Sequence, residues 1–545
     1  MRKLFAQILL VLGLITCVER CAQIVPLGGG KRDQTPPKLI EALPANKSTN
    51  FKSNFIVLKF DEFVQLKDLA NQLVITPTLK TPPEIFAEEK KINISLKSDE
   101  LLPNTTYRLF FGKAIADMHE GNALLNFEYI FSTGSFVDSL KVKGKIQDAF
   151  NTKAAENILI AIYTELQNDS LPYNKSPEYY TKSSESGEFT FNYLPYKSFK
   201  VYGIQDKNRN SLYDGETEKI AFLSSDLKLI SDTNIQLSIF QEEAAKTFLK
   251  KTNNPYFGLT QLILNKKAII KLQPLNLNEA KNIHETKPGL EKDTVSIFYK
   301  TIQDTLGLLF SLNPLKQADT LKIALPRDNT AKKKFRTFTI NTPGDKLALD
   351  DKIRLSFLTW MDTTKKDLSK VKLFLKEDSL RKTLPISGKW TSVNIFEINT
   401  NIKEGNNYVL KTDSNAFFDM KGFSNDTIRS VFKTQSRAET GKVTLKVLLN
   451  KKQNYIIQLV NGQDQIVKQS FISLSLSSSN AATINFTDVP PGTYQAKIVF
   501  DDNANKKWDT GRLILKQQAE KVVYASKQIK VLADWEIEEE ILIKD

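Results

Sequence analysis

With 545 residues, 41% of them apolar and 10% aromatic, the chain is long enough for several domains and apolar enough to bury their cores, which excludes a disordered polymer. The formal charge of +14 comes from 76 Lys plus Arg against 62 Asp plus Glu. The excess is spread out, its longest run being Lys332-Lys333-Lys334, which points to a solvated lysine-rich surface and away from nucleic acid. Two cysteines, Cys17 and Cys21, and two histidines, His119 and His284, are all the chain has, which excludes most His-dependent triads and most zinc sites.

Taken in order, residues 1–21 read as a leader. Arg2 and Lys3 precede an apolar run from Leu4 to Ile15, the layout of a secretory signal and too short to span a bilayer. Leu14-Ile15-Thr16-Cys17 resembles a bacterial lipoprotein box, with Thr16 where a small Gly, Ala or Ser is usual. Cys21 follows Glu19-Arg20, which fits such a box poorly, but it opens a tether over 22–36 that carries Pro26, Gly28-Gly29-Gly30 and Pro36-Pro37. Lipid on Cys17, lipid on Cys21, or an ordinary cleaved signal with neither remain three open readings. Gly28-Gly29-Gly30-Lys31 lacks phosphate-loop spacing and follows no strand.

Residues 33–134 alternate in the two-residue period of half-buried strands. Ile56, Leu58 and Phe60 form one series and Ile92, Ile94 and Leu96 a second. Tyr107, Leu109 and Phe111, then Phe127, Tyr129 and Phe131, close the unit around a loop with Asp117, Gly121 and Asn122. The pattern returns in 335–436. There Tyr408 matches Tyr107, Ala416 matches Ala114, Asp419-Met420 matches Asp117-Met118, Asn425 matches Asn122, and Phe432 and Thr434 match Phe131 and Thr133. The order TPPKLIEALPANKSTNF, IVLKFDEFV, LLPNTTYRLFF, AIADMHEGN, FEYIFSTG resembles the bacterial Ig-like domain named after the S-layer protein SbsA. The resemblance implies strings of β-sandwiches in envelope and surface proteins. The second copy reads IRLSFLTW where the first has Phe60-Asp61-Glu62, so no role of Asp61 or Glu62 carries over.

Residues 137–245 show a second pattern: LKVKGKIQDA, ILIAIYT, then SGEFTFNYLPYKSFKVYGIQDKNRNSLYDGE. A turn, F-x-F, Leu-Pro, an aromatic strand and an Asp/Asn loop resemble the carboxypeptidase-regulatory or transthyretin-like module. The pattern recurs in 437–545, where Ile484, Phe486, Val489-Pro490 and Tyr494 stand for Phe189, Phe191, Leu194-Pro195 and Phe199. Between them, 247–331 carries strand-like TQLILNKKAIIKLQPL, DTVSIFYK and TLGLLFSL and reads as a further β unit. A short helix is expected over Glu242 to Lys250. The fold class is all-β: tandem Ig-like and transthyretin-like β-sandwiches in an elongated array.

The sharpest chemical motif is the pair of acidic loops. Asp206, Asn208, Asn210 and Asp214 occupy positions 1, 3, 5 and 9, and Asp501, Asn503, Asn505 and Asp509 repeat the spacing. Alternate oxygen side chains in a tight loop can converge on calcium, with the carbonyls of Leu212 and Lys507 adding a ligand each. Position 6 is Ser211 or Lys506 instead of Gly, and each loop brings only two carboxylates, so affinity falls in the range of about 0.1–1 mM. Glu216 and Glu218 lie where they complete the first site; the spacing offers no such Glu to the second. Asx turns capping a hairpin predict the same residues. Asp117 and Asp419 read as turn-stabilising, Asp61-Glu62 as a charged strand end, and Trp360, Trp390, Trp508 and Trp535 as scattered packing residues. No G-x-S-x-G elbow with a usable His is present.

The expectation is a non-enzymatic exported envelope protein with a structural, adhesive or assembly role. A lipid anchor ties it to the membrane, the bacterial outer membrane on its periplasmic face or at the cell surface. Other envelope proteins or glycans are its partners, nucleic acid is not, and calcium is its one candidate cofactor. The alternatives are a carbohydrate- or peptide-binding surface protein and a hydrolase working with carboxylates alone.

Overall fold

The computed structural model describes residues 33–542 apart from 257, 287–291, 301–304, 313–318, 326–337, 343–344, 349, 378–379, 450–452 and 474–480. The leader, Cys17, Cys21, most of the tether and Lys332-Lys333-Lys334 lie outside the described residues. The regular structure of the chain is nearly all β-strand. Its α-helices among the described residues are the single turns Leu69–Gln72 and Leu171–Asn174. No helix among them is long and apolar enough to cross a membrane, which says nothing of a β-barrel.

Separate apolar cores follow one another along the chain. In the first unit Leu39–Leu43, Phe55–Phe60, Lys91–Ser95 and Glu84–Glu88 form one sheet, and Val74–Thr76, Thr106–Phe110 and Glu128–Ser132 another. Register follows the apolar alternation: Ile56 pairs with Ile94 and Leu58 with Ile92 on the inner face, where all four are buried with Tyr107, Leu109 and Phe131. A one-residue slip would turn this whole set to water.

The fourth unit repeats that plan with Phe338–Ile340, Ile353–Phe357, Ile395–Asn399 and Ser387–Ser392 against a sheet built on Asn407–Thr412. The repeat extends to single hydrogen bonds. Tyr107 Oη accepts from Leu102 N at 2.8 Å and Tyr408 Oη from Lys403 N at 2.7 Å. Thr133 Oγ1 donates to Leu102 O at 2.7 Å and Thr434 Oγ1 to Lys403 O at 2.6 Å. One expected match shifts. Asp117 N donates to Asn122 O and Asp419 N to Phe423 O, so Phe423, not Asn425, stands where Asn122 does. The second loop is one residue shorter. Asn425 caps a strand instead, its Oδ1 accepting from Ala416 N and Phe417 N.

The second and fifth units share another plan. Leu140–Asp148 lies antiparallel to Glu188–Leu194 and parallel to Thr233–Gln241. Gly441–Leu448 lies antiparallel to Ala481–Val489 and parallel to Glu536–Leu542. The facing layers are built on Ser198–Ile204 and Gly492–Asp501. Phe189 lies opposite Gly144 and Ile484 opposite Leu445. The Phe189 ring passes where a Cβ on Gly144 would sit, 2.3 Å away, so a bare backbone on one strand accommodates the larger ring on its neighbour.

The third unit packs Leu249–Tyr256, Leu259–Ala268, Lys292–Tyr299 and Ile283–Glu285 against Lys271–Pro274, Thr305–Ser311 and Asp319–Ala324, around Leu262, Val295, Ile297, Leu306 and Leu308. The helix expected over Glu242 to Lys250 is absent. Residues 242–248 are irregular and Leu249 opens a strand. The segment is too short to hold helix unaided, and its groups are engaged elsewhere: Ala245 N donates to Glu216 Oε1 and Lys266 Nζ to Ala244 O.

Candidate functional site

The two acidic loops fold alike. In the first, Asp206 accepts from Asn210 N at 3.1 Å and Ser211 N at 2.9 Å. Asn208 and Asn210 Nδ2 both donate to Asp214 Oδ2, at 2.6 and 3.0 Å. In the second, Asp501 accepts from Asn505 N at 3.0 Å and Lys506 N at 2.9 Å, and Asn503 and Asn505 Nδ2 donate to Asp509 Oδ2. Ser211 and Lys506, where a calcium loop prefers glycine, take φ of 61° and 64°. The carboxylate at position 1 holds each of these strained residues by its N–H.

Each loop closes on a buried glutamate. Glu218 accepts from Lys207 N at 2.8 Å and Asp214 N at 3.1 Å. In the second loop Glu520 accepts from Asp502 N and Asp509 N, both at 2.9 Å. Fixed spacing misses Glu520, because the segment 510–519 stands between the loop and the next strand. A local signal does find it: Glu218-Lys219-Ile220 and Glu520-Lys521-Val522 both open the following apolar strand. Burial pushes the Glu520 carboxyl up to about 7, and the Asp509 and Asp501 carboxylates add to the rise.

The second purpose of each loop lies at position 8, Tyr213 or Trp508. Tyr213 turns back onto the outer face of its own sheet, against Tyr163, Tyr202, Phe222 and Phe240. Trp508 covers Ile456, Val499 and Val522 and meets Phe150 of the second unit edge-on at 5.0 Å. The two outer faces are thereby joined. Leu513 is buried in the second unit's aromatic cluster, its N–H donating to Glu242 Oε1 at 2.7 Å, while Tyr213 Oη donates to Glu242 Oε2 at 2.7 Å. Thr510 Oγ1 donates to Gln241 O at 2.7 Å and Gln518 Nε2 to Phe222 O at 2.8 Å. Lys497, fully buried, sets its ammonium 3.3 Å from the Phe150 ring centre and 3.3 Å from Asp464 Oδ2; burial pushes its pKa down against the pull of Asp464.

A cavity of about 220 Å³ lies in this joint, lined by Asp169, Lys200, Asp226, Leu513 and Lys516 among others. Its charges neutralise one another: Lys200 Nζ is 2.7 Å from Asp169 and 3.3 Å from Asp226, and Lys516 Nζ 2.9 Å from Asp169. Such a set rigidifies a joint more than it invites a charged ligand.

The other singled-out residues are dispersed. Asp117 accepts from four backbone amides, His119 to Asn122, at 2.6–2.9 Å. Burial works to raise its pKa, and those four donors outweigh it and hold it low. At Asp419 burial wins over the amides of Phe423 and Lys421, and the pKa is raised. Asp61 Oδ1 accepts from Lys38 N at 2.8 Å, and Glu62 is raised by burial and by Asp117. Trp390 packs within the fourth core, Trp360 sits under Lys300, and Trp535 is exposed. Among the described residues, no group of three or more His, Cys, Asp or Glu stands in position to hold a metal.

That geometry frames the comparison with known proteins. Residues 33–133 match the family of the bacterial Ig-like domain. The Ig-like match covers the first unit, whose sheets are described above. A comparison with curated proteins gives no match. Among solved structures the chain is similar to the S-layer protein rSbsC, at 11% identity over 91% of this chain and 67% of that one, TM-score 0.15. It is similar to BcpA, the major pilin subunit of Bacillus cereus, at 10% identity over 75% and 100%, TM-score 0.14. It is similar also to the BSP domain of a biofilm associated protein, at 10% identity over 94% and 99%, TM-score 0.15.

Proposed function

We propose that this protein is a non-enzymatic structural element of a bacterial cell envelope, exported and held at the surface through lipid on Cys17 or Cys21, with an adhesive, spacing or assembly role. The observation that carries this reading is the Ig-like unit at 33–133 followed by further β units, of which the fourth repeats its plan and the second and fifth share another. The second and fifth units are, on this reading, transthyretin-like, and the first and fourth of the SbsA type. The function of such sandwiches lies in what they hold apart or together, since the fold itself prescribes no chemistry. Metabolic labelling with a fatty-acid alkyne tests the anchor: label is expected on the wild type and lost in Cys17→Ala or Cys21→Ala, and an unlabelled wild type removes it. Protease shaving of intact cells tests surface display.

The acidic loops serve this reading as self-ordered staples. Their position-1 carboxylates and Asp214 and Asp509 already accept from donors within the loop, so a cation would have to turn the Asn208 and Asn210 oxygens inward, and those of Asn503 and Asn505 likewise. A millimolar calcium titration followed by melting curves separates the readings: unchanged melting fits staples, a rise fits calcium sites.

A further inference from the structure

The contacts of the second and fifth units imply a path for mechanical load. Units that neighbour each other in sequence meet mainly through polar contacts: Thr78 N donates to Glu178 O at 2.7 Å and Tyr193 Oη to Glu128 Oε1 at 3.2 Å between the first and second. Lys300 lies over Trp360 between the third and fourth, and exposed Arg437 pairs with Asp350 and Asp488 between the fourth and fifth. The second and fifth units meet instead through apolar outer faces, with Leu513 buried in one and Phe150 set against Trp508 and Lys497 of the other. The partners are far apart in sequence: 269 residues separate Gln241 from Thr510 and 296 separate Phe222 from Gln518.

We propose that the hairpin Thr510–Ala519 is a clasp that carries tension and closes the second to fifth units into a loop, so that a pull along the chain bypasses the third and fourth units until the clasp opens. A pull on the two ends runs through the first unit into the second, crosses at Gln241/Thr510 and Glu242/Leu513, and leaves through the fifth. The third and fourth units stay slack.

The clasp is also the weaker element of that path. It holds by one hairpin with a single buried apolar side chain, Leu513, three hydrogen bonds to Gln241, Glu242 and Phe222 and the Lys516–Asp169 pair, beside the contact of Phe150 with Trp508 and Lys497. The two units it joins are closed by parallel terminal strands, Leu140–Asp148 beside Thr233–Gln241 and Gly441–Leu448 beside Glu536–Leu542, in register over seven pairs each. A pull along parallel strands loads all their bonds together, so these units resist shear while the clasp is opened first. Opening lengthens the protein without unfolding a core, and the clasp can close again. The use of this property in a cell rests on the structural role proposed above; the property itself rests on the contacts.

The test is single-molecule stretching of the full chain between its ends, in a Cys17→Ser/Cys21→Ser background. The wild type is expected to show one early, reversible, low-force lengthening before any unfolding step, and Leu513→Asp to lose that step and keep the rest. A second variant guards against misfolding: Gln241→Cys/Thr510→Cys, joined by a short bis-maleimide, is expected to shorten the fully stretched length by its 269 enclosed residues, roughly 90 nm. Unfolding of the third or fourth unit with no earlier step overturns the proposal. So does an unchanged Leu513→Asp trace, or failure of the cross-link to remove that length. Because the trace is read on purified protein, its failure leaves the surface labelling untouched, and the reverse holds too.

Discussion

The backbone N–H of Leu513 donates to Glu242 Oε1 at 2.7 Å across 271 residues, and the Leu513 side chain is buried among aromatics of a unit it does not belong to. Apolar burial at a joint of this kind sets the affinity of one unit for the other, while the polar contacts fix its orientation. Leu513→Ala is expected to weaken the joint by about 2–3 kcal/mol while leaving each core intact. Hydrogen exchange checks it: amides of the second unit's strand Lys219–Phe222 and of 510–519 gain exchange, and those of Phe55–Phe60 do not.

Glu520 gives the fifth unit a pH-dependent stability. Its folded pKa, up to about 7, lies above its unfolded value. The folded state therefore holds the proton more tightly, and stability falls as pH rises from the unfolded value through about 7. Glu520→Gln is expected to flatten the slope of melting temperature against pH between 5 and 8. A slope equal to that of wild type contradicts this assignment.

Asp117 and Asp419 occupy equivalent turns and are expected to respond oppositely. The four amides at Asp117 hold its pKa low, so its contribution is present above the unfolded value and lost as pH falls through the folded one. Asp419 is raised by burial, so its cost appears as pH rises through that interval. Asp117→Asn is expected to lower the melting temperature most at neutral pH, by about 1–3 kcal/mol in stability. Asp419→Asn is expected to be milder there and to cost more in acid. Melting curves at pH 3 and 7 on both variants decide it.

The sequence shows much of this and misses the rest for identifiable reasons. Alternation reveals Ile56/Leu58/Phe60 and Ile92/Ile94/Leu96 as inner faces because each sheet buries one side, and a period of two is then unavoidable. The twin loops are legible because strained backbone at Ser211 and Lys506 needs an acceptor at a fixed offset. The joint between the second and fifth units is not legible. Leu513, Phe150 and Glu242 sit in segments without periodicity, and Ile514 and Leu515, next to Leu513, are exposed, so nothing local marks Leu513 as the buried one. Glu520 is hidden by the ten-residue hairpin before it, and the expected helix at Glu242 loses to contacts made from afar.

Gly144 offers a packing test independent of charge. A methyl group there meets the Phe189 ring and Ile235 O, so Gly144→Ala is expected to cost about 1–3 kcal/mol. Gly144→Ala/Phe189→Ile, which copies the smaller ring-free pairing of Leu445 with Ile484, is expected to recover part of that loss in a thermal melt.

The central claim is that self-contained β units are brought together by one contact between units far apart in sequence. Small-angle X-ray scattering on wild type and Leu513→Asp tests it most directly. The account predicts a larger maximum dimension and radius of gyration for the variant with unchanged β content by circular dichroism. Identical scattering from the two proteins would contradict it.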